Sequence, residues 1–257
     1  MFRPRVIPVL LLKDKGLVKT VKFKDGKYVG DPINAVRIFN NLKADELIFL
    51  DIQATKENRI SSLQVIQNIG DEAFMPFSVG GGIRTIDDIK QIINAGAEKV
   101  IINTAAVETP ELITEAANLF GSQSVIVSID VKKNIFGKYK VYTKNGTKST
   151  NLAPIKHAQN MEKLGAGEIM INSIEKDGTL SGYDIDIINQ ICNSVDIPVI
   201  ACGGCGKYED LTDAVKLGNA SAVAAGSIFV FHGARKAVLV NYPDRELLGN
   251  LFSFFNY

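Results

Sequence analysis

Charge of one sign is what this sequence lacks most plainly: 29 lysines and arginines stand against 28 aspartates and glutamates, a formal net charge of +1. No global field therefore draws the chain to nucleic acid or to an anionic membrane, although a local anion site stays open. Long apolar runs are lacking too, and none approaches the roughly 20 residues a helix needs to span a bilayer. Met1 to Leu12 mimics a signal peptide, with Arg3 and Arg5 ahead of an apolar run. That run stops early at Lys13-Asp14 without a small-residue cleavage site, so a strand is expected instead. Cysteine is scarce: three residues, an odd number without the density of a secreted scaffold, point to a reducing cytoplasm. Cys202 and Cys205 have a C-x-x-C spacing, but Cys192 falls in a predicted helix and His157 and His232 in other segments, so no metal and no cofactor is expected.

What is present is alternation. The β-branched runs RVIPVLL, ELIFLD, PFSVG, KVIIN, SVIVSID, EIMINSI, IPVIAC and SAVAAG are separated by amphipathic segments with legible starts. Asp31-Pro32, Thr85 with Asp88, and Thr109-Pro110 each combine a capping residue with proline or an early acid. About eight βα units in a chain of this length, with no linker, predict a single (βα)8 TIM barrel over residues 1–257. The second half repeats the first. ADELIFLDI lies over AGEIMINSI, VGGGIRTIDDI over ACGGCGKYEDL, and NAGAEKVIINTA over KLGNASAVAAGS, so two half-barrels present paired loops across a pseudo-twofold axis.

In such a barrel chemistry sits at the C-terminal strand ends, where backbone amides and helix starts gather. Gly81-Gly82 follow the third strand, Asn103-Thr104 the fourth, Gly203-Gly204 the seventh, and Gly226-Ser227 the eighth. Glycine lets the backbone approach an anion, and small hydroxyl residues add donors. Their placement at twofold-related positions predicts two phosphate sites and a small ligand with a phosphate at each end.

VGGGIRT, INTAAVE, GSQSVIVSIDVK, GAGEI and DGTLSGYD, over nearly the whole chain, resemble the cyclase subunit of imidazole glycerol phosphate synthase. The resemblance implies a barrel that takes ammonia from a glutaminase partner and closes an imidazole ring on a bisphosphorylated ribulosyl intermediate. It implies one phosphate near Gly82, Asn103 and Thr104, and another near Asp177, Gly178, Gly204 and Ala225. Lys19, on the long loop after the first strand, matches a family active-site residue. Arg5, Glu46, Lys99 and Glu168, at strand starts, coincide with the family's ring that gates ammonia at the barrel floor.

Departures are as informative. Both twofold-related strands end in aspartate in the family; here Asp130 is kept and Leu11 stands at the other place, and a missing acid–base group typically costs ~10²–10⁴ in rate. Asn172 replaces the usual threonine and Cys202 the usual serine. An intact ammonia ring with a broken catalytic pair resembles the cyclase-like paralogues of surface-polysaccharide synthesis, which implies delivery of ammonia to a separate amidotransferase making an acetamidino sugar. The alternative is a working cyclase subunit of histidine biosynthesis. The related sugar isomerase of that pathway also uses two strand-end acids, so Leu11 counts against it equally. IFGKYKVYTKNGTKS alternates like a two-stranded ribbon with an Asn145-Gly146 turn, either covering the mouth or forming a surface hairpin. The tail LLGNLFSFFNY is apolar enough to pack on the barrel or to meet a partner.

Overall fold

Eight apolar runs become eight parallel strands that close on themselves in the computed structural model, which describes residues 3–233 and 235–255. The expectations for Met1, Asn256 and Tyr257 lie outside the described residues. The chain opens with β1 (Arg5–Lys13) and the strands β2 (Gly16–Val21) and β3 (Lys24–Gly30), followed by α1 (Pro32–Leu42), β4 (Leu47–Asp51), α2 (Leu63–Glu72), β5 (Phe77–Gly80), α3 (Ile86–Asn94) and β6 (Lys99–Ile102). Next come α4 (Thr104–Glu108), α5 (Glu111–Phe120), β7 (Val125–Lys133), β8 (Tyr139–Thr143), β9 (Lys148–Ser149), α6 (Pro154–Lys163) and β10 (Glu168–Ser173). The chain continues through α7 (Ile185–Cys192), β11 (Val199–Cys202), α8 (Tyr208–Lys216), β12 (Ala222–Ala225), α9 (Ser227–Val230) and α10 (Arg245–Leu251). Parallel pairing runs β1–β4–β5–β6–β7–β10–β11–β12 and returns to β1, the closure of a (βα)8 barrel.

The period of two along each strand divides the core. Ile7, Val9 and Leu11 of β1 join Ile48, Ile101, Ile126, Met170 and Ile200 inside the barrel. Val6, Leu10 and Leu12 face the surrounding helices with Phe39, Phe49 and Phe77. Each such buried side chain contributes ~1.5–3 kcal/mol relative to exposure. Small residues on β12, Ala222 and Ala224, fill the interior where the strands crowd.

Helix starts follow the sequence at two of the three expected places. The Asp31 carboxylate accepts from the Asn34 N–H at 2.9 Å, and Thr85 with Asp88 forms a reciprocal capping box. Thr109 is different: α5 begins at Glu111, and Thr109 serves through its backbone carbonyl, because the unforeseen short helix α4 ends there. Leu248 and Phe252 of the tail are buried against the barrel, and Lys216 lies over the Phe254 ring. Among the described residues no helix is long and apolar enough to cross a membrane.

Two strands outrun the barrel rim. β1 turns back as the antiparallel ribbon β2–β3, so the segment carrying Lys19 is a ribbon and not the long loop expected; LVKTV alternates, and Lys22 and Phe23 make the turn at positive φ. β7 likewise pairs antiparallel with β8, which pairs with β9 around a turn with Lys144 and Asn145 at positive φ. A Cβ at Gly146 would stand 3.0 Å from the Phe23 ring, so the two ribbon tips touch above the barrel.

Candidate active site

At the floor, four charges close into a ring. Arg5 reaches Glu46 at 2.6 Å and Glu168 at 2.5 Å; Lys99 reaches Glu168 at 2.6 Å and Glu46 at 3.5 Å. Glu46, one residue before β4, is almost fully buried and also accepts from the Ser78 hydroxyl at 3.0 Å. Burial opposes the Arg5 charge, yet the two carboxylates more than offset it and its pKa rises. Charges in such a place persist only when paired and hydrogen-bonded, which this geometry provides.

The opposite end holds a cavity of about 200 Å³. Leu11 and Asp130 line it together, as do Lys19, Asp177 and Gly178. Gly81, Gly82, Asn103 and Thr104 meet it from one half-barrel, and Gly203, Gly204, Gly226 and Ser227 from the other. Ala225 does not line it: strand parity turns its side chain toward the helices, next to Ala224, which points inward. His157 is buried on α6 away from the cavity, its pKa lowered by burial to about 4, and His232 is exposed.

Burial shifts the titratable groups at the mouth away from their ordinary values. Burial, reinforced by the Asp177 charge, pushes Asp130 up to about 7, against hydrogen bonding from Asn172 and Ser128. Burial also lowers Lys19 to about 8, the Asp177 carboxylate opposing that shift. The Lys19 ammonium donates to the Val9 carbonyl and lies where a Cβ on Gly226 would fall, which accounts for glycine there. Asp177 is itself raised, mainly by burial. Asn172 sits beside Asp130 across the β7–β10 pairing, and its Oδ1 is buried without a hydrogen-bond partner. Leu11 offers no proton at all; it packs with the interior cluster.

The glycine-rich loops at the strand ends take backbone forms open to glycine alone. Gly82, at φ +72°, lies so close to the Arg59 carbonyl that any Cβ would overlap it, and Gly203 and Gly204 also take positive φ. The Thr104 hydroxyl accepts from the Lys144 N–H at 3.1 Å, so the second ribbon lies directly on that loop. Thr20 and Lys22 of the first ribbon meet Asp177 from the other side.

Several cavity residues escaped the sequence reading. Phe23 comes from the tip of the first ribbon, whereas Asn145, on the ribbon expected either over the mouth or at the surface, lines the cavity and donates to the Ile52 carbonyl. Asp51 is the last residue of its strand, a signal available in ELIFLD. Its carboxylate, however, holds the following loop by accepting from the Gln53 and Ala54 amides at 2.9 and 3.0 Å and pairing with Arg59. Cys202 and Cys205 are free and buried in the cavity wall; burial raises both thiols, Cys202 to about 12. Low thiolate content argues against nucleophilic chemistry there. Among the described residues, no group of three or more His, Cys, Asp or Glu could hold a metal ion.

Fold and mouth together define a (βα)8 barrel with paired glycine-rich loops around one titratable cavity. Residues 5–235 match the family described as "Histidine biosynthesis protein", and the chain belongs to it. Three relatives agree. "Putative imidazole glycerol phosphate synthase subunit hisF2" from Pseudomonas aeruginosa is 52% identical over 244 residues, covering 95% of this chain and 97% of the relative. The similarly named hisF3 from Vibrio vulnificus is 47% identical over 95% of this chain and 94% of the relative. "Imidazole glycerol phosphate synthase subunit HisF" from Alkaliphilus metalliredigens is 45% identical over 90% and 92%. Within the family the chain is HisF-like.

Proposed function

We propose that the chain is the ammonia-using barrel subunit of an imidazole glycerol phosphate synthase, working as one barrel unit on a ligand with a phosphate at each end. The observation that carries this reading is the single cavity in which Asp130, Lys19 and both sets of phosphate loops converge. The relatives' names support it over the polysaccharide branch, since a HisF subunit of that synthase is 45% identical over 90% of this chain. In this reading the loops at Gly82-Asn103-Thr104 and Asp177-Gly178-Gly204 hold the two phosphates. Asp130 exchanges protons during ring closure, and its position near neutrality suits either direction of transfer. Lys19 supplies a cation above the developing charge. A glutaminase docks at the floor, and ammonia passes the ring of Arg5, Glu46, Lys99 and Glu168.

Leu11 sets the rate. One acid–base group where two are usual lowers turnover by ~10²–10⁴. The test uses purified chain, ammonium chloride and the bisphosphorylated ribulosyl intermediate, without glutaminase. Slow turnover that Asp130→Asn abolishes and Leu11→Asp accelerates supports the proposal. No turnover by either the parent chain or Leu11→Asp, with the intermediate bound, overturns it.

Leu11 also favours a second reading, in which ring closure is lost and ammonia goes to an amidotransferase making an acetamidino sugar. Its signature is a silent parent chain and an active Leu11→Asp variant. Labelled nitrogen from glutamine then reaches the sugar only when the barrel is present.

A further inference from the structure

Charge balance over the whole chain conceals a segregation. The first ribbon, residues 13–28, holds six lysines and two aspartates, a net of +4; residues 131–149 hold six lysines and no acid, a net of +6. Two short segments thus carry +10 in a chain of net +1, leaving −9 for the rest. Both segments rise from strand ends at the mouth, and their tips meet over the cavity at Phe23 and Gly146.

The acids facing these lysines are few. Glu108 pairs with Lys144 at 3.3 Å and Lys148 at 3.5 Å; Asp177 faces the buried Lys19; and Glu175 accepts from the Lys133 backbone N–H. Asp14 and Asp25 lie within the first ribbon itself. Lys133 is drawn over the Tyr139 ring, and Lys140 donates to the Asn151 carbonyl. Lys132 and Lys138 are exposed. The turn between them is held by Asn134, whose side chain accepts from the Phe136 and Lys138 amides at 3.0 Å each. The lysines are therefore carried on an ordered arm rather than on a loose loop.

We infer that the two ribbons form an electrostatic collector that draws a multiply charged phosphate ligand from solution into the mouth. Lysines concentrated on one side of an overall neutral protein focus the field where the cavity opens, and such fields raise association rates by 10–10³. The effect scales with ligand charge, so it selects bisphosphates over monophosphates before any contact in the cavity is made. This inference rests on the bisphosphate reading of the mouth.

The experiment measures association and dissociation of fructose 1,6-bisphosphate, a non-reacting probe, by ³¹P line broadening with the full chain. Lys132→Glu with Lys138→Glu reverses two ribbon charges; Lys90→Glu with Lys163→Glu makes the same net change on α3 and α6. At low salt the ribbon variant should associate about tenfold more slowly with dissociation unchanged, and the helix variant should stay within about twofold of the parent. At 0.5 M salt, an added concentration of about that size, the difference should vanish because screening shortens to a few ångströms. Ribose 5-phosphate should lose only about threefold. Normal association by the ribbon variant, or an equal loss in the helix variant, overturns the collector while leaving the bisphosphate site standing. Absence of probe binding to the parent chain at every salt overturns both. Binding of a DNA duplex by the parent, lost in the ribbon variant, would make this a nucleic-acid surface and also overturn it.

Discussion

Replacing Asp130 by asparagine should make the protein more stable while removing a titratable carboxyl from the cavity wall. Asp130 is buried, and its pKa in the fold is raised from 3.8 to about 7. Between these values the folded chain keeps a proton that the unfolded chain has released, so stability falls as pH rises through the window and levels off above about 7. A shift of this size corresponds to about 4 kcal/mol. The neutral asparagine still has a polar group to bury, so about 2–3 kcal/mol of that should be recovered at pH 8, and little at pH 4. Asp177, the nearby charge that helps raise Asp130, also gains from the change. Urea midpoints at about pH 4.5, 6 and 8 follow the difference, which should grow with pH and reach about 1 M at the top of the range. A constant difference across pH, or a variant less stable than the parent at pH 8, would refute the assignment of the strain to a buried carboxylate.

Lys19 should behave as the mirror case. Its pKa is lowered from 10.5 to about 8, so stability rises as pH climbs through that interval, and Lys19→Met should stabilise the chain at pH 7 by about 2–3 kcal/mol in a urea titration. At the floor, Arg5→Ala leaves Glu46 and Glu168 with Lys99 alone and should cost about 3 kcal/mol. Adding Glu168→Gln should restore part of that; a loss under about 0.5 kcal/mol would instead mark an ordinary surface pair. Gly82→Ala forces a Cβ onto the Arg59 carbonyl at φ +72° and should destabilise the chain by about 2 kcal/mol or more, read as a lowered thermal midpoint, and weaken phosphate binding seen by ³¹P titration.

The barrel was legible because its signals are local. Val6 to Leu12 alternates between interior and shell as soon as parity is known, and the Asp31 and Thr85 side chains cap their helices by accepting from amides three residues on. The floor charges were legible as strand starts, but their closure is not: Arg5 and Glu168 are 163 residues apart, and only the barrel's register brings them to 2.5 Å. The ribbon tips show the same limit more sharply. Asn145-Gly146 announces a turn, yet nothing near it in the chain says that it will land on Phe23 and on the Ile52 carbonyl. Asp51 misleads in the other direction, having the strand-end position of a catalytic acid and the bonding of a loop clamp.

The ribbons that meet over the cavity descend from corresponding strands of the two halves, β1 and β7. An object lying on a twofold axis must either share that symmetry or be unique, and two arms competing for one point cannot both keep the same tip. Phe23 fills the point and Gly146 yields to it, so divergence of the two copies is a geometric demand before it is a chemical one. The same holds one layer lower, where a ligand carrying a phosphate at each end could be seated either way round in a symmetric mouth. With leucine at position 11 and aspartate at 130, the two seatings are no longer equivalent: the wall itself distinguishes head from tail.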